Sequence, residues 1–136
     1  AQITAPSVPG SIMSNSPAPS VFNHWIGLLL LTGIGWIHFR DIPGKLSETP
    51  SLGWSYILLV AGCAASGAWL LGNGLGLAIS LGALIAYTLT RTTGLPGATG
   101  DIGNWAEPAG IVSLLLEAAF CVLAVVRLRS AAFQTR

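Results

Sequence analysis

The chain has 136 residues, 52% of them apolar and 8% charged, with six Lys/Arg against five Asp/Glu and a formal net charge of +1. Soluble domains carry roughly 25% charge, so this composition and a mean hydropathy of +0.70 exclude an ordinary soluble domain. The few scattered basic residues leave no electrostatic footprint for nucleic acid.

Residues 1–20, AQITAPSVPGSIMSNSPAPS, carry no charge and are broken by Pro6, Pro9, Pro17 and Pro19. Such a Pro/Ser-rich segment cannot sustain a helix and has little to bury. It reads as an N-terminal arm, extended or disordered, that either stays free or lies along a partner subunit. An Ala-Gln start suits either signal-peptide removal or loss of an initiator Met.

A first apolar run, Val21 to Phe39, spans roughly 28 Å as a helix, enough for a bilayer's hydrocarbon layer. Asn23, His24 and Trp25 mark one interface, and Trp36, His38, Phe39 and Arg40 the other. A connector containing Pro43 and Pro50 follows. Further helices are expected at about 53–71, 75–90 and 108–128. Gly72-Asn73-Gly74 forms the turn between the second and third, and Pro108 opens the fourth. The short basic tail covers 130–136. The fold class is therefore all-α, an integral membrane four-helix transmembrane bundle occupying residues 21–129.

Small residues line the third segment in two rows, Gly72, Gly76 and Ser80, and Gly74, Ala78, Gly82 and Ala86. Such rows let helix backbones approach closely. The second segment adds Gly62 with Ser66 and Cys63 with Gly67. Both cysteines, Cys63 and Cys121, lie inside apolar runs and read as reduced packing residues. Orientation is balanced: Arg127, Arg129 and Arg136 on one side face Arg40, Lys45 and Arg91 on the other. The compact C-terminal cluster tips the choice towards termini in the cytoplasm.

Whichever way the bundle points, the first and third connectors share one membrane face. They gather His38, Arg40, Asp41, Glu48, Arg91, Asp101 and Glu107 there. On the fourth helix Gly110, Ser113, Glu117, Cys121 and Ala124 form one stripe. A charge at bilayer depth costs at least ~2.5–3.5 kcal/mol and normally faces a protein interior. Glu117 thus reads as the floor of a polar site shared with Arg91, Tyr87, Ser113 and His38 and opening to that face. There it acts either as a protonatable relay or as a protonated structural group bonded to Ser66 or Tyr87.

His24 and His38 share a face of the first helix at opposite interfaces, the spacing at which a helix offers axial ligands to two stacked haems. With no third histidine, a haem or chlorophyll would need a five-coordinate metal or a partner chain. A metal site on His38 with Asp41 or Glu107 lacks tight ligand spacing, so no metal or other cofactor is required.

The segments GIGWIHF, LTRTTGLPG and EPAGIVSLLLE resemble those of small four-helix bacterial membrane proteins. That group has a histidine ending helix one, an R-T-x-G-L-P turn after helix three and a Glu inside helix four. The matches fall on His38, on Arg91 through Pro96, and on Glu107, Pro108 and Glu117. The resemblance implies a multi-pass protein of the bacterial plasma membrane and the same choice of residues, but no activity.

No CxxC, HExxH, phosphate-cradling glycine loop or GxSxG elbow occurs, so a catalytic role is not expected. The leading expectation is a non-catalytic small subunit of a larger membrane assembly of respiratory, photosynthetic or monooxygenase type, packed against other subunits. The alternative is a small proton-, ion- or metal-handling protein using Glu117 with His38 and Arg91. A tetrapyrrole-binding subunit using His24 or His38 is a third reading.

Overall fold

A computed structural model describes residues 21–68 and 74–134 of the chain. The N-terminal arm, Gly72 and Asn73 of the second turn, and the last two residues lie outside them. Four α-helices account for nearly all of the described chain: α1 (Val21–Glu48), α2 (Pro50–Ala68), α3 (Leu75–Thr92) and α4 (Pro108–Gln134). A single 3-10 turn, Thr99–Asp101, interrupts the α3–α4 connector.

The first connector is far shorter than its two prolines suggest. Helix α1 continues through Pro43 to Glu48, and Thr49 alone separates it from α2. A proline inside a helix removes one backbone donor and crowds the carbonyl four residues back, here that of Phe39. Phe39 and Pro43 both lie on the exposed flank of α1, where water or polar groups outside the bundle can take over that carbonyl. The corner then pins the helix end: Thr49 N–H donates to Lys45 O at 2.8 Å, and Thr49 O accepts from Leu52 and Gly53 at 2.9 and 3.1 Å. Pro50 takes the first position of α2, where no donor is needed. At the other extremity α4 carries the tail to Gln134 as helix.

Helix α1 packs along α2 and α4, and α3 along α4, while the α2–α3 seam is the sparsest. The helices therefore run up and down around a ring in chain order. The α1–α2 and α3–α4 connectors meet at one end, where Thr49 Oγ1 donates to Gly97 O at 2.9 Å. The α3–α4 connector itself depends on glycine. Gly94, at φ 78°, reverses the chain after α3 and its N–H closes on Leu89 O at 2.8 Å, while Gly97 turns at φ 81°.

The interior divides by polarity. In one half Leu31, Ile34, Cys63 and Phe120 form an apolar core. Its helices are held close by glycine: a Cβ on Gly76 would lie 2.7 Å from the Phe120 ring and one on Gly62 2.5 Å from Ile79. In the other half the buried residues are polar, among them His38, Thr90, Arg91, Ser113 and Glu117. The outer surface is the reverse. Trp25, Leu29, Trp36, Trp54, Leu58, Leu115 and Val122 are each more than 60% exposed. Water-soluble bundles show the opposite arrangement.

The α1–α2 corner yields a direct test. A Cβ on Gly53 would sit 2.7 Å from the backbone nitrogen of Leu46, which cannot rotate away. Gly53→Ala should lose about 1–3 kcal/mol to overpacking. Gly44→Ala, near the end of α1 with open space around it, should gain up to about 1 kcal/mol from helix propensity. Thermal melts of the two variants beside the parent check both signs.

Candidate functional site

The polar half of the bundle encloses a cavity of about 450 Å³ with walls from all four helices and the α3–α4 connector. Its residues arrive there by helical phase. On α1 the apolar positions Leu31 and Ile34 are followed along the same stripe by His38, Asp41 and Lys45, which line the cavity. On α4 Gly110, Ser113 and Glu117 face it, and Tyr87 of α3 lies so close that a Cβ on Gly110 would meet its ring at 2.6 Å. Helix α2 contributes Leu52, Tyr56 and Leu59.

At the connector end, Arg91 is 5% exposed and forks to two carboxylates. Its Nη1 ion-pairs with Asp101 Oδ2 at 3.0 Å, and its Nη2 donates to Glu107 Oε2. The guanidinium also lies 4.6 Å over the Tyr87 ring, a cation–π contact. Lys45 reaches the same Asp101 at 3.8 Å and Glu48 at 3.3 Å. This cluster lines the connector end of the cavity.

Deeper in, Glu117 is 2% exposed. Ser113 Oγ donates to its Oε1 at 2.8 Å, and His38 Nε2 stands 3.8 Å from the same oxygen. The other imidazole nitrogen, Nδ1, is 2.9 Å from Ile34 O. A carbonyl oxygen can only accept, so Nδ1 carries a proton and Nε2 is the nitrogen left to exchange one with Glu117. The separation exceeds direct hydrogen-bond reach, and one water or a small rotation closes it. Tyr56 packs edge-on against the His38 ring, with centroids 4.8 Å apart, and fixes its plane.

Glu117, Arg91, Tyr87, Ser113 and His38, five residues singled out in the sequence, thus all line one cavity. Glu117 takes Ser113, one turn back on its own helix, as hydrogen-bond partner; Ser66 and Tyr87 do not fill that role. Asp41, Asp101 and Glu107 join the lining, whereas Arg40 points outward and meets only Asp41, at 3.6 Å. His24 is half-buried at the far end of α1 and outside the cavity. Among the described residues no group of three or more His, Cys, Asp or Glu is placed to hold a metal.

Lys45 and Tyr56 complete the site without having been expected in it. Lys45 was hidden by reading Pro43 as a helix end, although the spacing from Ile34 through His38 and Asp41 to Lys45 continues across it. Tyr56 stands on one stripe of α2 with Leu52, Leu59, Cys63 and Ser66, which could have revealed it.

The ion-paired cluster lines the connector end, and the exposed lining residues are Ser55 and Leu58 of α2 with Ala78 and Gly82 of α3. The cavity opens sideways, through the α2–α3 seam. Comparison with protein families, characterised proteins and solved structures finds no match to this chain.

Arg91 makes a measurable claim on stability. Arg91→Met strands two carboxylates that keep part of their hydration, so the loss should be about 2–3 kcal/mol, at the low end for a broken buried pair. Arg91→Lys keeps the charge but cannot fork to both partners and should fall between. Denaturation of both variants provides the check.

Proposed function

We propose that this chain is a multi-pass membrane protein that handles protons through the Glu117–His38 pair. The observation that carries the reading is the contact of these two buried side chains at 3.8 Å on the wall of an intramolecular cavity. Either group can hold the shared proton, Ser113 orients the carboxylate, and the fixed tautomer leaves one nitrogen for exchange. The Arg91 cluster at the connector end supplies ionisable groups between the pair and the outside.

The membrane part of the reading rests on three observations. Helices α3 and α4 are long and apolar enough to cross a bilayer. Helix α1 offers length, 28 residues against the roughly 20 needed, although among the described residues only α3 and α4 meet length and apolarity together. Among the described residues the outer surface carries large apolar side chains, while half of the interior is polar. In water that surface would be an aggregation hazard; against lipid it is the expected solvent contact.

Single-cysteine labelling tests the placement. Ser47→Cys and Thr99→Cys, both on exposed residues at the connector end, should react with an impermeant maleimide from one side of the membrane. Ser130→Cys should react from the other. Labelling of Ser47→Cys and Thr99→Cys from opposite sides excludes this topology.

The proton reading is tested in vesicles containing the purified protein and a trapped pH dye. Under an imposed potential, Glu117→Gln should reduce proton entry at least tenfold. The Gln side chain can still accept from Ser113, so the melting temperature should stay close to the parent's. Undiminished proton entry in the Gln variant overturns the assignment.

A further inference from the structure

The cavity has two chemically different walls. One, formed by His38, Tyr56, Tyr87, Ser113 and Glu117, is polar and aromatic; the other, formed by Leu58, Leu59, Ala78, Ile79, Gly82 and Ala83, is apolar. The apolar wall runs to the α2–α3 seam. There Gly82 has nothing within 4 Å of a would-be Cβ, and Leu58 is 72% exposed. The small residues of α3 therefore do not hold a neighbouring helix close at this level. They leave a slot. A proton site alone needs no such slot, and a water-soluble ligand would gain nothing from its apolar lips.

Charge narrows the occupant. The lining holds the carboxylates Asp41, Asp101, Glu107 and Glu117 against the cations Lys45 and Arg91. Arg91 is already committed to two of the carboxylates, and Lys45 reaches Asp101. Among the described lining residues neither cation is left free to meet a phosphate or carboxylate head. Depth narrows it further: Glu117 stands nine residues into α4, about 13 Å along the axis from Pro108, where a charged head would be costly to place. What the wall offers is uncharged hydrogen bonding from Tyr56, Ser113 and the His38–Glu117 pair, between aromatic rings. A volume of about 450 Å³ falls among pockets for drug-sized ligands.

We propose that the cavity binds an amphiphile with an uncharged, ring-sized, hydrogen-bonding head of the lipid-soluble quinone kind, its head against His38, Tyr56 and Glu117 and its apolar chain leaving between α2 and α3 into the lipid. The inference rests on the membrane placement of the bundle proposed above, and it concerns binding alone. It gives the sideways opening, the bare flank of Gly82 and the lack of an unpaired cation one common cause.

The experiment uses the full chain in detergent and, as probe, a benzoquinone carrying a ten-carbon chain. Binding is read by native mass spectrometry and by the rise in melting temperature. One quinone per chain should be retained, with at least tenfold weaker retention of the same ring lacking the chain. Gly82→Leu and Ala78→Leu fill the slot from exposed positions. Each should keep a melting temperature at or above the parent's without ligand and lose quinone affinity at least tenfold. Phosphatidylglycerol, offered in competition, should not displace the quinone. The inference is overturned if both Leu variants bind as the parent does, if the chainless ring binds equally well, if the anionic lipid is preferred, or if no saturable binding occurs. Proton entry is read separately by the dye. A chain that admits protons through Glu117 but retains no quinone overturns this inference alone, and one that retains quinone without Glu117-dependent proton entry overturns only the proton reading.

Discussion

The guanidinium of Arg91 is buried at the last turn of α3 and binds Asp101 and Glu107, two carboxylates six residues apart on the following connector. Its own backbone carbonyl accepts from Gly103 N–H at 2.9 Å. One residue thereby folds the whole connector back over the end of α3 and sets where α4 begins. Because α4 starts at Pro108, directly after Glu107, the ion pair also fixes the rotational phase of that helix. That phase aims Gly110, Ser113 and Glu117 inward. The deep carboxylate is placed by the shallow one.

The partition of polarity follows from the same constraint. With Arg91 and its partners lining one end, the interior beneath cannot be filled by large apolar side chains without burying those charges further. The chain fills it with hydroxyls, rings and the Glu117–His38 pair, and moves its close apolar packing to the other half of the bundle. There Gly76 admits Phe120 and Gly62 admits Ile79. Gly82, of the same residue type and on the same helix, meets nothing. A small residue in a helix thus means contact at one position and open space at another, and only the neighbours decide which.

That ambiguity marks what the sequence could and could not reveal. Scarcity of charge made Glu117 and Arg91 stand out, and helical spacing tied Ser113 to the first and Tyr87 to the second. All-α architecture and four segments were legible from apolar run lengths. The end of α1 was not, because a proline's local cost was weighed without the corner that offsets it. Thr49 accepts from two amides of α2 while its hydroxyl reaches Gly97 across the bundle. Such a gain depends on a residue 48 positions away and leaves no local trace. The missed helical turn hid Lys45, and with it the ion pair to Asp101. The residues named for the site do line one cavity, and its exposed lining lies on α2 and α3.

The pairing of Glu117 with His38 explains how two ionisable groups can be tolerated where charge is costly. Nδ1 is occupied by Ile34 O and Oε1 by Ser113, so a single proton remains to be located between carboxylate and imidazole. Carboxylic acid with neutral imidazole and carboxylate with imidazolium have the same net charge, zero. Shifting the proton between them rearranges a dipole without creating a charge, and a low-dielectric site tolerates that far better. Adding a proton, or removing one, does change the charge of the interior. Asp41 and the Arg91 cluster are the other charges on the cavity lining. Keeping the proton count constant is therefore the less costly course for this pair, and Ser113 and Ile34 hold its two ends in place for it.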